Sequence, residues 1–293
     1  MPSTIPPDAK TAFDAGMAAL TAGNAAAAEA HLQRAASLAP QSADVQGNLA
    51  VCLQALGKLE PAVVVFRRAI QLQPDFLEAR YGLGSALQAL KRMDEARAAF
   101  GSILTTNPDH VESHYALATV WQAESRPNEA ITHYQAALRI DPDFAEASYG
   151  LGTLLLKIGK VADSIPCFES ALNVDPDYKE ALLGLGAATY RTGDSAKAES
   201  AFTRVLRLDP GHLQSIIGLA SSQRRQGRNA DARVNFRMAV ELNPNDAMAQ
   251  YGLGEVLHAE GQTQEAAEHL RRAASLNPQM QDAIALLTKT TIQ

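Results

Sequence analysis

His110 and His114 stand four residues apart in Asp109-His110-Val111-Glu112-Ser113-His114. Two imidazoles at that separation can share a zinc ion if both lie on one regular helical face and a third ligand joins them. Gly82-Leu83-Gly84 begins like a dinucleotide-binding loop, but it lacks the third glycine and a preceding strand. Cys52 and Cys167 are the two thiols of the chain, and Lys157, Arg191, Arg224 and Arg225 would suit carboxylates or a phosphate if the fold gathers them. Which of these groups can act depends on the elements that carry them.

Those elements repeat. Pro40, Pro74, Pro108, Pro142, Pro176, Pro210, Pro244 and Pro278 follow one another at intervals of 34 residues. A fixed period of this size is the mark of an array in which each unit buries its apolar face on its neighbours. Eight units run 9–42, 43–76, 77–110, 111–144, 145–178, 179–212, 213–246 and 247–280, and positions within a unit are numbered here as slots 1 to 34. Slot 7 is Leu from Leu49 onwards, and slot 8 is Gly or Ala throughout. Slot 20 is Ala, with Ser164 once, and slot 24 is Phe66, Phe100, Tyr134, Phe168, Phe202 and Phe236 between Leu32 and Leu270. Apolar slots 4, 7, 8 and 11, then 20, 24 and 27, have helical spacing, so each unit reads as two amphipathic helices. Gly23, Gly57, Gly159, Gly193, Gly227 and Gly261 at slot 15 end the first helix, and the slot 32 proline separates units.

This pattern resembles the tetratricopeptide repeat (TPR) over residues 9–280. The resemblance implies an all-α fold, a right-handed α-solenoid superhelix of stacked helix-turn-helix units. Residues 1–8 would be an N-terminal extension and 281–293 a closing helix, with Ile284, Leu287 and Thr288 where slots 4, 7 and 8 of a ninth unit would fall. The family's slot 4 Trp is absent, and Trp121 sits at slot 11 instead, which predicts a looser core at slot 4. A composition 46% hydrophobic but only 5% aromatic, rich in Ala and Leu, suits helices.

Within this frame the catalytic candidates recede. His110 falls in the turn at slot 34 and His114 in the packed stripe at slot 4, so the pair reads as packing, and His31, His133 and His269 share slot 23 more than one unit apart. The Gly-Leu-Gly copies lie inside helices. Three units of separation put Cys52 and Cys167 beyond the roughly 7 Å Cα limit of a disulfide. No enzyme, cofactor or metal is expected. The net charge of −6 argues against a phosphate-backbone binder, so no nucleic acid is expected. Met1–Lys10 has three prolines and no apolar signal region, and no run reaches membrane length, so the expectation is a cytoplasmic protein without a membrane partner.

In TPR arrays the first helices line a concave groove, and the resemblance implies that slots 2, 5, 6, 9, 12 and 13 face it. Slot 2 carries Asp44, Glu78 and Glu112; slot 5 carries Phe13, Tyr81, Tyr115 and Tyr149; slot 12 carries Gln54, Gln88 and Gln122, then Tyr190 and Arg224; slot 13 carries Lys157, Arg191 and Arg225. The glutamine amides could pair with the backbone of an extended peptide, and the cations with an acidic segment. Two zones are therefore expected, Tyr and Gln in repeats 2–4 and cationic in repeats 5–7. The alternative is an ordinary solvated face. Glycine at slot 6 (Gly82, Gly150, Gly184, Gly218, Gly252) reads either as close helix contact or as a bare groove floor. The slot 6 asparagine ladder of O-GlcNAc transferase-type arrays is reduced to Asn48, and Phe13 and Met17 replace the Lys and Asn of carboxylate-clamp units.

The expected function is a non-catalytic scaffold that binds a peptide segment or protein partner in the groove. The alternative is the regulatory or substrate-selecting region of a larger enzyme, such as a TPR-linked glycosyltransferase or sulfotransferase. A monomer is expected, with self-association through the open end of repeat 1 as the other outcome.

Overall fold

The apolar stripes form helices throughout. The computed structural model describes residues 5–292, and its contacts divide the chain into two compact units, Met1–Pro142 and Asp143–Gln293. In the first unit the first helices of the repeats are α1 (Pro7–Thr21), α3 (Ala43–Ala55), α5 (Leu77–Ala89) and α7 (Val111–Ala123). Their partners are α2 (Ala25–Leu38), α4 (Leu59–Leu72), α6 (Met93–Leu104) and α8 (Pro127–Ile140). In the second unit α9 (Ala145–Lys157), α11 (Lys179–Thr192), α13 (Leu213–Arg225) and α15 (Ala247–Ala259) pair with α10 (Val161–Val174), α12 (Ser195–Leu208), α14 (Asn229–Leu242) and α16 (Thr263–Leu276), and α17 (Gln281–Ile292) follows. No strand occurs among the described residues, and no helix there is long and apolar enough to cross a membrane.

Helix ends follow from local chemistry. Asn24, Ser42, Asp194 and Asp246 accept the exposed N–H groups of Ala27, Val45, Lys197 and Ala249. His110 and His212 use their imidazole Nδ1 for the same purpose, accepting from Ser113 and Ser215. Between the two helices of a repeat, slot 15 is left-handed: Gly193, for example, has φ 94°. Lys91 and Ser125 occupy the same slot with φ 63° and 58°, because the turn fixes the backbone even where glycine is missing.

The core of each unit is built from the alanines at slots 20 and 27 and the rings at slot 24, all buried. Slot 24 rings seat against two first helices at once. A Cβ on Gly186, from the same repeat, would stand 2.7 Å from Phe202 Cε1, and one on Gly218, from the next, 2.6 Å from Phe202 Cε2. Phe66 against Gly82, Phe168 against Gly184 and Phe236 against Gly252 repeat the second contact. Gly82, Gly184, Gly218 and Gly252 are therefore close helix contacts, and for them the bare groove floor is corrected: absent side chains make room for a ring of the preceding repeat.

Slot 4 is not loose. His114 Nδ1 lies 3.1 Å from His133 Nδ1 while its Nε2 reaches Pro108 O at 3.0 Å; Gln250 Oε1 lies 2.7 Å from His269 Nδ1; Arg80 donates to Ser102 O at 3.0 Å. Polar pairs with the second helix take the place of the missing tryptophan. Trp121 lies between the guanidinium groups of Arg97 and Arg126, 4.2 and 4.3 Å from its ring.

Helix α17 packs on α16, burying Ala283 and Thr290 and leaving Ile284 exposed. The sequence placed Ile284 and Thr288 in a packed stripe. Slots 4 and 8 face the second helix of their own repeat, no such helix packs on α17 among the described residues, and both Ile284 and Thr288 are exposed.

Candidate functional site

Within each unit successive first helices touch: α1 with α3, α3 with α5 and α5 with α7, then α9 with α11, α11 with α13, α13 with α15 and α15 with α17. Successive second helices approach less closely among the described residues and meet through long side chains such as Arg67 and Glu95. The first helices thus lie on the inner side of each unit's curvature, and their free face is the candidate site.

In the first unit Tyr81 and Tyr115 are half-buried. Tyr81 packs 5.4 Å from Phe100 and 6.1 Å from His110, and Tyr115 meets Tyr134 edge-on at 6.0 Å. Burial, with Glu112 and Tyr115 nearby, raises the Tyr81 phenol above its usual value, so it stays a neutral donor. The glutamines are partly engaged within the protein: Gln88 Nε2 donates to Thr119 Oγ1 at 3.0 Å, and Gln122 Oε1 accepts from the buried Tyr134 hydroxyl at 3.1 Å. Gln54 is half-buried and its side chain makes no hydrogen bond among the described residues, whereas Asn48 Nδ2 is held by Asp44 O at 2.8 Å. A row of three free amides is therefore corrected to one amide free at both ends and two already committed at one.

In the second unit Tyr149 stacks 5.1 Å from Tyr178 and 6.2 Å from Phe168. The cations do not form one free cluster. Arg224 pairs with Glu255 at 3.2 Å, and burial raises the Glu255 carboxyl while Arg224 and Tyr251 oppose that rise. Arg225 lies flat on the Tyr190 ring at 3.7 Å and donates to Tyr190 O at 2.5 Å; Arg191 reaches Leu156 O at 3.5 Å. Each slot 13 arginine thus caps the carbonyl end of the preceding first helix, where the helix dipole is negative. Lys157, Arg191 and Arg225 are exposed. The expected four-cation zone is corrected to three, two of them anchored at one end.

A second feature lies where the tyrosine column fails. In repeats 3 and 5 the slot 5 tyrosine packs on an aromatic ring at slot 34, but repeat 2 has Gly47 at slot 5. A Cβ there would stand 2.8 Å from Phe76 Cε1. Beside it opens a cleft of about 590 Å³, within the ~300–1,000 Å³ range of ligand clefts. Phe13, Val51, Phe66 and Phe76 give it an apolar wall, and Asp44, Asn48 and Glu78 are also at its lining. Among the described residues neither carboxylate is in a salt bridge, and no Lys or Arg lines the cleft. Sequence reasoning noted Asp44, Glu78 and Asn48 but missed the cleft; the signal was Gly47 at slot 5 together with Phe76 at slot 34 of the same repeat.

The thiols and histidines offer no reactive cluster. Burial pushes the Cys52 thiol up, and burial together with Asp163 does the same at Cys167. Among the described residues no group of three His, Cys, Asp or Glu is placed to hold a metal. His110 caps a helix while His114 turns to His133, so the two do not converge.

Models described as tetratricopeptide repeat match residues 19–69, 62–120, 149–212 and 217–280, and a TPR repeat model matches 125–159. No curated protein matches the chain in sequence. Among solved structures, the C-terminal part of a TPR repeat-containing protein from Cytophaga hutchinsonii is similar at TM-score 0.68 and 17% identity, covering 82% of this chain and 99% of that one. The structure of Pseudomonas aeruginosa pilF has TM-score 0.61 and 21% identity, covering 75% and 97%. YrrB, described as a TPR protein with an unusual peptide-binding site, has TM-score 0.59 and 21% identity, covering 67% and 97%. At such identities the likeness concerns the fold alone.

Proposed function

We propose, starting from the fact that this chain belongs to the tetratricopeptide repeat family, that it is an interaction scaffold whose first-helix face binds a peptide segment of a protein partner. The observation that carries this reading is the open inner face in each unit, where half-buried tyrosines stand beside polar groups that retain unused hydrogen-bonding capacity. Aromatic rings at fixed spacing give apolar contact at low entropic cost, and side-chain amides can satisfy the backbone of an extended guest. The peptide-binding site in the description of YrrB is consistent with this use of the fold. Lys157, Arg191 and Arg225 favour an acidic stretch of guest at the second unit, and Tyr81, Tyr115, Tyr149, Gln54 and Gln88 an apolar or neutral one.

The test is selection of a random 12-residue phage-displayed peptide library on the full chain, followed by fluorescence anisotropy with labelled winners. Changing Tyr115, Gln122 and Arg191 together to Ala is expected to weaken the selected peptides at least about ten-fold while circular dichroism remains helical. Failure to select any peptide, or full affinity in the triple variant, would remove the reading.

A further inference from the structure

We infer that the cleft beside Gly47 binds a bulky apolar side chain of a partner peptide that carries a Lys or Arg next to it. This deepens the proposed peptide-binding role and rests on it. Three observations define the guest. The wall of the cleft is apolar and aromatic, from Phe13 on α1, Val51 on α3, Phe76 after α4 and the buried edge of Phe66. Val51 is 47% exposed, a level at which a valine offers apolar surface to a guest. Phe76 packs onto Gly47, where a Cβ would stand 2.8 Å from its Cε1, yet it stays half-buried and lines the cleft. An incoming apolar side chain packs on the parts of Phe76 and Val51 left at the surface.

The charge at the cleft selects the neighbour. Asp44 and Glu78 come from successive first helices, α3 and α5, are both exposed, and have no basic partner among the described residues. Two unpaired carboxylates beside an apolar recess attract a cation and repel an acidic guest. Asn48 fixes the polarity of the remaining contact. Its Nδ2 is committed to Asp44 O, which leaves Oδ1 to accept from a guest backbone or ammonium N–H.

The same 12-residue library, selected on the full chain, tests this. The selected peptides are expected to share a Leu, Ile, Met or Phe adjacent to Lys or Arg. Val51→Gln puts a polar group on the exposed part of the apolar wall, and should weaken such peptides at least about ten-fold. Asp44→Lys with Glu78→Lys alters only exposed positions and should do the same, with the loss reduced in the parent at 0.5 M salt. Peptides that bind tightly but tolerate both variants overturn the cleft assignment while leaving the peptide-binding face intact. Selection of acidic peptides sensitive only to Arg191 and Arg225 does likewise. A dimer in light scattering that Val51→Gln dissolves would give the cleft to a second copy and also overturn the inference, whereas the absence of any selected peptide defeats both readings.

Discussion

The histidine at slot 4 of repeat 4 does structural work that its spacing from His110 conceals. With His114 Nε2 donating to Pro108 O, its Nδ1 is an acceptor, and the proton between the two rings belongs to His133. Burial, and His114 beside it, hold the His133 imidazolium below its ordinary value of 6.5, and burial lowers His269 in the same way. Because the unfolded chain then binds protons that the folded one refuses, stability is full above about pH 6.5 and declines as pH falls through that value. Thermal unfolding is expected to show a lower Tm at pH 5.5 than at pH 7.5. His133→Gln keeps a donor toward His114, and should lose less Tm over that interval; an identical acid loss would place the proton elsewhere.

At the scale of the helices, the approach of consecutive repeats is set by the ring at slot 24 and the two glycines it touches. Alanine in a helix interior is normally better than glycine by about 1 kcal/mol. At Gly218 the sign reverses, since the added Cβ meets Phe202 at 2.6 Å and overpacking costs roughly 1–3 kcal/mol. Chemical denaturation should show Gly218→Ala less stable than the parent; a gain in stability would mean that the helices are further apart than described. The helices themselves were legible in the sequence because slots 7, 20 and 24 recur with few changes of residue type, and so were the slot 15 turns where glycine marks them. Lys91 and Ser125 escaped, because a left-handed turn imposed by its neighbours leaves no trace in residue type. The polar pairs at slot 4 escaped for another reason: His114 with His133 and Gln250 with His269 are contacts between two helices, each partner unremarkable alone.

For the whole molecule, the periodic sequence dictated where the inner face lies but not what is left free on it. Gln88, Gln122, Arg224 and Arg225 stood on the predicted stripe, yet each is bound to a neighbouring residue, because long polar side chains on adjacent helices meet one another before they meet a guest. The cleft beside Gly47 was hidden because its lining comes from three repeats at once, with Phe13, Val51 and Glu78 among it. On the proposed reading the side of the helix pair divides binding from non-binding surface: inner slots face the guest, while the second helices meet one another through ion pairs such as Lys58 with Glu29, Arg67 with Glu95 and Arg237 with Glu265. Val64 and Val234, both on second helices, are 66% and 65% exposed and give a matched control. The most direct measurement is the affinity of a selected peptide for the parent, for an inner-face variant with Tyr115, Gln122 and Arg191 changed to Ala, and for an outer variant with Val64 and Val234 changed to Asp. The expected result is at least a ten-fold loss on the inner face and less than about two-fold on the outer; loss in the outer variant with an unaffected inner one would contradict the account.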